Sequence, residues 1–376
     1  MNGHEPLVAP GFGNVADAFL RTIADDGRSG AAMSVWIDGA PVIDLWGGMA
    51  DVRTGRPFTF DTLSVTWSCT KGMASVLIAM LVERGMMPPY DTPVIKLWPE
   101  FGAHGKNQVT IGDALAHRGG LSAPLRDLTL EEAIYPLRMA DVLAAQAPLW
   151  PPNEHHQYHA VTHGALTAKL VTLATGRSIG RCLDDLVAKP LDADIWLGLP
   201  EPEEPRVTHM VEMETLSAPP EGDPETLGWL DRALTLGGAI TLDNFNEPRF
   251  HQAEFAGVSG IATANGLAKM WSATVAPTNG VRLINEETVD ALRETRSKGP
   301  GYFPQPPPYQ SWGAGVMVPS EWQWYLSPNS FGHDGAGGQV AFADVDAKVG
   351  FAYLTNRMGD WDRGKSVIKA LSRALG

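Results

Sequence analysis

Extended patterns stand at both ends of this chain and helical ones fill its middle, so any sheet must be assembled from distant pieces of sequence. Ala31 to Trp46 reads as two β runs around Ile37-Asp38-Gly39-Ala40, and an Asp-Gly pair between apolar stretches is a strong hairpin signal. Near the other end, Trp312 to Val318, Gly338 to Asp344 and Val349 to Asn356 read as strands, the last two joined through Asp346-Ala347-Lys348. Between them the apolar spacing predicts helices over Ser68 to Arg84, stopped by Gly85, and over Ile111 to His117, Met139 to Gln146, Thr162 to Leu173 and Ile179 to Ala188. A helix opens the chain before the hairpin and another, Arg363 to Leu375, closes it. The expected class is α+β. An antiparallel sheet flanked by terminal helices forms one lobe, 1–66 with 240–376, and a mainly helical lobe, 67–239, is inserted into it, with a cleft between the two.

Two proline-rich stretches interrupt this pattern. Glu201 to Gly228 holds Pro202, Pro205, Pro219, Pro220 and Pro224 among many acids and is read as an irregular, acidic excursion. Gly299 to Tyr309 carries five more prolines and is read as an ordered loop or connection.

Composition narrows the partners. The chain has 43 acidic against 29 basic residues, a formal charge of -14, which repels polyanions and argues against nucleic acid or an anionic membrane. A small molecule is the better expectation. The start, Met1-Asn2-Gly3-His4-Glu5-Pro6, shows neither a basic start nor an apolar segment, and no run reaches about 18 uninterrupted apolar residues, so a soluble, cytoplasmic protein is expected. The two cysteines, Cys69 and Cys182, fall inside predicted helices and are read as packing residues. Nothing in the sequence decides between a monomer and a homo-oligomer.

Chemistry enters with Ser68-Cys69-Thr70-Lys71, which lies between an extended run and a long apolar helix. Residues i and i+3 share a helix face, so Lys71 is placed to take the proton of the Ser68 hydroxyl, provided desolvation lowers its pKa from about 10.4. Spacing alone is weak evidence, because Ser366-Val367-Ile368-Lys369 repeats it in the closing amphipathic helix, with no strand before it. Tyr158, in Gln157-Tyr158-His159-Ala160, supplies a phenol able to bond both groups and to pass protons between them.

Gly332-His333-Asp334-Gly335-Ala336-Gly337-Gly338 is read as a turn just before an edge strand, where glycines let backbone approach a ligand. There the N–H of Ala336, opposite that of Ser68, is expected to form an oxyanion hole, with His333 against the substrate. Two further patterns are weighed and set aside. Gly176-Arg177-Ser178-Ile179-Gly180 matches G-x-S-x-G, but a helix precedes it where an elbow needs a strand, so Ser178 reads as an N-cap. His155, His159 and His163 fall at i, i+4, i+8, but no H-E-x-x-H or paired carboxylate goes with them. They are read as a polar rim beside Tyr158, with no metal.

Taken in order, Ser68-Cys-Thr-Lys71, Tyr158 and His333-Asp-Gly335 resemble the serine β-lactamase and penicillin-binding-protein superfamily, in particular its class C-like branch and its family VIII carboxylesterases. Val109 to Leu121 resembles the family's T-I-x-x-L-L-x-H-x-S-G-L segment and Gly257 to Ala264 its G-x-G-G-L-x-S-T segment, so the resemblance covers nearly the whole chain. It implies the β-lactamase/DD-peptidase-like fold, with the active site in the cleft, and a serine carboxylesterase acting on short-chain or aryl esters through an acyl-enzyme. By position it implies Ser68 as nucleophile, Lys71 and Tyr158 as proton-transfer partners, and the N–H groups of Ser68 and Ala336 as oxyanion hole. His333, Gly335, Trp67 and His159 are expected to line the substrate site, and no cofactor is implied. Alternatives on the same residues are a β-lactamase, a D-amino-acid amidase or peptidase, or an acyltransferase. Where the family carries Y-x-N and K-T-G, this chain has Tyr158-His159-Ala160 and His333-Asp334-Gly335. The amide and the permanent cation that hold a β-lactam are thus missing, which favours esters. Trp67, Trp150, Trp229 and Trp312, among 12 tryptophans, suggest aromatic pocket walls.

Overall fold

The computed structural model describes residues 4–24, 27–212, 222–359 and 361–376. Its main sheet has ten strands built from both ends of the chain. The N-terminal part supplies β1 (Leu7–Val8), β2 (Gly30–Ile37) and β3 (Ala40–Asp51). The C-terminal part supplies β4 (Ser297–Lys298), β5 (Ser311–Trp312), β6 (Met317–Val318), β7 (Ser330–Gly335), β8 (Gln339–Asp344) and β9 (Val349–Thr355). The order is β1-β3-β2-β9-β8-β7-β6-β5-β4, with Arg56–Pro57 pairing to β3, and every pairing is antiparallel. The seam is β2 against β9, from Ile37 opposite Val349 to Ala31 opposite Thr355. The expected hairpin forms, with Asp38 and Gly39 both at positive φ in the two-residue turn.

One face of the sheet carries α1 (Gly13–Ile23) and α6 (Asp362–Leu375), which pack together over Val15, Phe19, Val367, Ile368 and Leu371. The other face carries α5 (Ala264–Val275) and α2 (Cys69–Glu83). From Cys69 to Leu81 every residue of α2 is buried, and a helix apolar on all sides can only sit in a core. Each fully buried Leu, Ile, Val or Met side chain there contributes about 1.5–3 kcal/mol. Ser68 and Lys71 therefore ride on a helix that cannot shift without opening the core. Against α2 pack α3 (Thr162–Thr175) and Ile179–Leu183, and Pro136–Ala145 packs on α3 in turn. Ile179–Leu183 continues as a π-helical turn, Asp184–Ala188. Among the described residues no helix is long and apolar enough to cross a membrane.

Three expectations are corrected. Ser330–Gly335 is itself a strand, held on both sides by β8 and β6, and Ala336–Gly338 turns it into β8, so the glycine-rich run is an interior strand with its turn and the strand after it is not an edge. Trp312 to Val318 is two short strands, because Gly315 turns the chain at φ 84°. The Glu201 to Gly228 excursion begins with a short 3-10 helix, Glu201–Arg206, and its end opens α4 (Pro224–Thr235): Pro224 takes the first helical position after the Asp223 N-cap, where a missing N–H costs nothing. The middle of that excursion, 213–221, lies outside the described residues.

Candidate active site

The site begins with strain. Trp67 has φ 47°, a left-handed backbone rarely adopted by a bulky side chain and costing about 1–3 kcal/mol, and it is held there by packing against Phe245 at 4.6 Å. This bend brings Ser68 to the N-cap of α2 with its side chain half-buried.

One turn on, the Lys71 side chain is completely buried. Its Nζ lies 3.1 Å from Ser68 Oγ, 2.6 Å from the carbonyl oxygen of Ala160 and 2.8 Å from that of Gly257. Among the described residues no carboxylate pairs with it, and burial pushes the ammonium well below the ordinary lysine range. A neutral amine has two N–H bonds and one lone pair. The two carbonyls use the N–H bonds, which leaves the lone pair for the Ser68 hydroxyl. Two glycines make this arrangement. A Cβ on Gly164 would meet the Gly257 nitrogen at 2.2 Å, so only hydrogen there lets α3 lie against the Gly257 turn beside Lys71. Gly164→Ala is expected to lower stability by about 1–3 kcal/mol through overpacking and to slow turnover by moving the Gly257 carbonyl. A thermal melt and an ester assay check it; an unchanged Tm with full activity contradicts the close approach.

Tyr158 reaches Ser68 from the opposite side, its hydroxyl donating to Oγ at 2.7 Å. The ring lies flat on Trp312, with centroids 5.1 Å apart and planes 6° from parallel, and Lys71 Nζ stands 4.9 Å from its centroid. Burial pushes the phenol well above its ordinary pKa, so Tyr158 stays a neutral donor. Ser68 Oγ thus sits between a hydroxyl that donates and an amine that accepts.

The strand β7 closes the site from the sheet side. Cys69 Sγ donates to the carbonyl of His333 at 3.1 Å, and Gln339 Nε2 to that of Val65 at 2.9 Å. A Cβ on Gly335 would come within 2.8 Å of the Thr66 carbonyl, so the strand lies hard against the start of α2. Ala336, half-buried, follows directly at the end of β7. Side chains alternate along the strand: Asp334 takes bonds from Trp322 Nε1 at 3.0 Å and Tyr325 at 3.1 Å. His333 packs toward Trp312 and Tyr158.

His333 is 1% exposed, so it backs the site as part of its wall. Its Nδ1 donates to the Asp334 carbonyl at 2.6 Å, which leaves Nε2 as a bare acceptor, and burial pushes its pKa down to about 3. It carries no positive charge near neutral pH.

His159 is corrected. It is fully buried, with Nδ1 on the Gln157 carbonyl at 2.6 Å and Nε2 accepting from the Leu121 N–H at 3.1 Å, so it braces backbone and offers nothing to a ligand. The histidine row fails for the same local reason: 155–159 is not helical, so His155, His159 and His163 do not share a face. Ser178 caps the helix Ile179–Leu183 and bonds Glu254 at 2.7 Å, and Ser366 lies exposed on α6, bonded to the Arg363 carbonyl. Neither is near a base of the Lys71 kind. Cys69 and Cys182 are both free and buried. The carbonyls of Ala160 and Gly257 were not anticipated, since backbone groups carry no residue signature; the only hint was the Gly257 to Ala264 segment.

Comparison with known proteins gives a consistent result. The family described as Beta-lactamase matches residues 15–373. The chain is similar to the Esterase/beta-lactamase LipL of Mycobacterium tuberculosis, with 31% identity covering 93% of this chain and 82% of that one. Among solved structures, a family VIII carboxylesterase superposes with a TM-score of 0.86 at 30% identity, covering 98% of this chain and 99% of that one. A penicillin-binding protein homologue from Caulobacter crescentus gives 0.88 at 33% identity over 98% of both chains.

Proposed function

Since the chain belongs to the Beta-lactamase family, with its fold and Ser/Lys/Tyr centre, we propose that it is a serine carboxylesterase cleaving short-chain or aryl esters through an acyl group on Ser68. The observation that carries this reading is Ser68 Oγ held between Lys71 Nζ at 3.1 Å and the Tyr158 hydroxyl at 2.7 Å. Lys71, neutral through burial, takes the Ser68 proton as Oγ bonds to the ester carbonyl carbon. The oxyanion is received by the N–H groups of Ser68 and Ala336. The C–O bond to the alcohol then breaks, and the alkoxide leaves with a proton relayed from Lys71 through the Tyr158 hydroxyl. Water attacks the acyl carbon in its turn, its proton passing back along the same path to Ser68 as the acid departs. Lys71 is the base in this scheme and Tyr158 the relay. The cleft lies between the sheet-bearing 1–66 and 240–376 and the helical 67–239, lined by Trp67 and Gly335 with His333 behind.

Esters are favoured over lactams because Ala160 and a neutral His333 stand where the Y-x-N and K-T-G patterns carry an amide and a permanent cation. A substrate without a carboxylate loses nothing by that exchange. A cytoplasmic location belongs to the same proposal, supported by two buried thiols that are not paired.

The scheme fixes the sign of the pH dependence. The active form has Lys71 deprotonated, and its pKa is lowered, so kcat/KM should reach its plateau well below the pH at which an ordinary lysine titrates and fall only toward acid. The active form also has Tyr158 protonated, and its pKa is raised, so no loss should appear near pH 10. A profile of p-nitrophenyl butyrate hydrolysis, corrected for the blank, checks this. Activity rising in step with an ordinary lysine, about 10.4, contradicts it.

A further inference from the structure

The segment that carries Tyr158 is not held by helix or sheet. It is held by the backbone and ring of His117 and by one loop. Upstream, the Gln157 N–H donates to the His117 carbonyl at 3.1 Å, and the His159 N–H to His117 Nδ1 at 3.2 Å. From across, the loop 299–309 lies alongside: the Tyr302 N–H donates to the His156 carbonyl at 2.8 Å, and the Phe303 N–H to Gln157 Oε1 at 3.0 Å. Gly301 faces the same amide so closely that a Cβ there would meet Gln157 Oε1 at 2.3 Å. Four prolines, Pro304, Pro306, Pro307 and Pro308, stiffen the loop beyond this point.

The loop's two aromatic residues extend a stack that begins inside the protein. Trp150, 2% exposed, touches His159 edge-on at 6.1 Å and carries Tyr302 stacked at 5.1 Å. Phe303 meets Trp150 edge-on and lies parallel to Trp229 of α4 at 6.2 Å. Tyr302 is 39% exposed and Trp229 half-buried, so the stack ends in open aromatic surface. Such a surface, carried on the loop that braces the chain entering Tyr158, suits a planar ring and offers a linear alkyl chain little.

We propose that Trp229 and Tyr302, backed by the buried Phe303 and Trp150, form a subsite for the aromatic ring of an aryl ester, and that Gln157 holds this subsite in register with Tyr158. This rests on the esterase reading of Ser68. Gln157 is a positioning residue: it touches no reacting atom but fixes both the chain entering Tyr158 and the loop that presents Phe303.

The test uses the whole protein and two ester pairs, phenyl and ethyl butyrate and phenyl and ethyl acetate, followed by pH-stat. Tyr302→Leu and Trp229→Leu should lower kcat/KM for the phenyl esters roughly threefold to tenfold, through KM, the range of one aromatic contact. The ethyl esters should stay within about twofold. Gln157→Ala should lower kcat for all four with KM unchanged, and Gln157→Glu, which keeps the acceptor for Phe303, should restore much of it. Phenol should compete with phenyl butyrate better than cyclohexanol does. Equal losses on phenyl and ethyl esters, or none, overturn the subsite. Failure of the wild-type protein to hydrolyse any of the esters, with no fluorophosphonate label on Ser68, overturns the esterase reading beneath it; label with indiscriminate variants overturns the subsite alone.

Discussion

Ser68→Ala is expected to lower ester turnover by a factor on the order of 10⁴ or more, the scale seen when a covalent nucleophile is deleted. Fold and Tm should change little, since the Ser68 side chain is half-buried and its removal leaves the α2 core intact. The same substitution at Ser178 or Ser366 should leave turnover within about twofold, because Ser178 caps a helix and bonds Glu254 while Ser366 bonds its own helix. Initial rates on p-nitrophenyl acetate and butyrate, with melts of all three variants, check the contrast. Loss of activity in Ser178→Ala alone sinks the assignment of the nucleophile.

Lys71→Met comes next in size. Methionine fills a similar volume without a lone pair, so the Ser68 proton has no acceptor and kcat should fall by about 10²–10⁴. The carbonyls of Ala160 and Gly257 also lose their donor, at about 1–3 kcal/mol for each group left unsatisfied. Relief from burying an amine offsets part of that cost, so Tm should drop without the fold being lost. Lys71→Arg separates base from charge: a guanidinium stays protonated and cannot accept, so it should be as inactive as Met while straining the buried pocket further. Near-normal turnover in Lys71→Met, with Tyr158→Phe inactive, would move the base to Tyr158.

Much of the framework was legible because periodicity and turn chemistry carry it. The Asp38-Gly39 hairpin, the all-apolar α2 and the closing strands follow from residues whose neighbours decide their conformation. Ser68, Lys71 and Tyr158 were legible for a related reason: helix spacing brings the first two together, and a phenol able to bond both points to the third, which the family resemblance then matches. What escaped was decided at longer range. The run 332–338 looked like one turn because of its glycines, yet only Ala336–Gly338 turns, while Gly332 and Gly335 serve a strand pressed against Phe342 and Thr66. His159 looked like a rim residue on a helix that 155–159 does not form. The carbonyls that orient the Lys71 amine belong to Ala160 and Gly257, residues whose side chains announce nothing. Pro224 was taken as a breaker although, at the first position of α4, it starts a helix.

The most direct measurement is intact-protein mass spectrometry with peptide mapping after incubation with a fluorophosphonate, run beside nitrocefin and p-nitrophenyl butyrate turnover. One adduct on the peptide containing Ser68, lost in Lys71→Met at short times, with rapid ester and negligible nitrocefin hydrolysis, is the expected result. No adduct, or one on Ser178, contradicts a Ser68 nucleophile set between Lys71 and Tyr158.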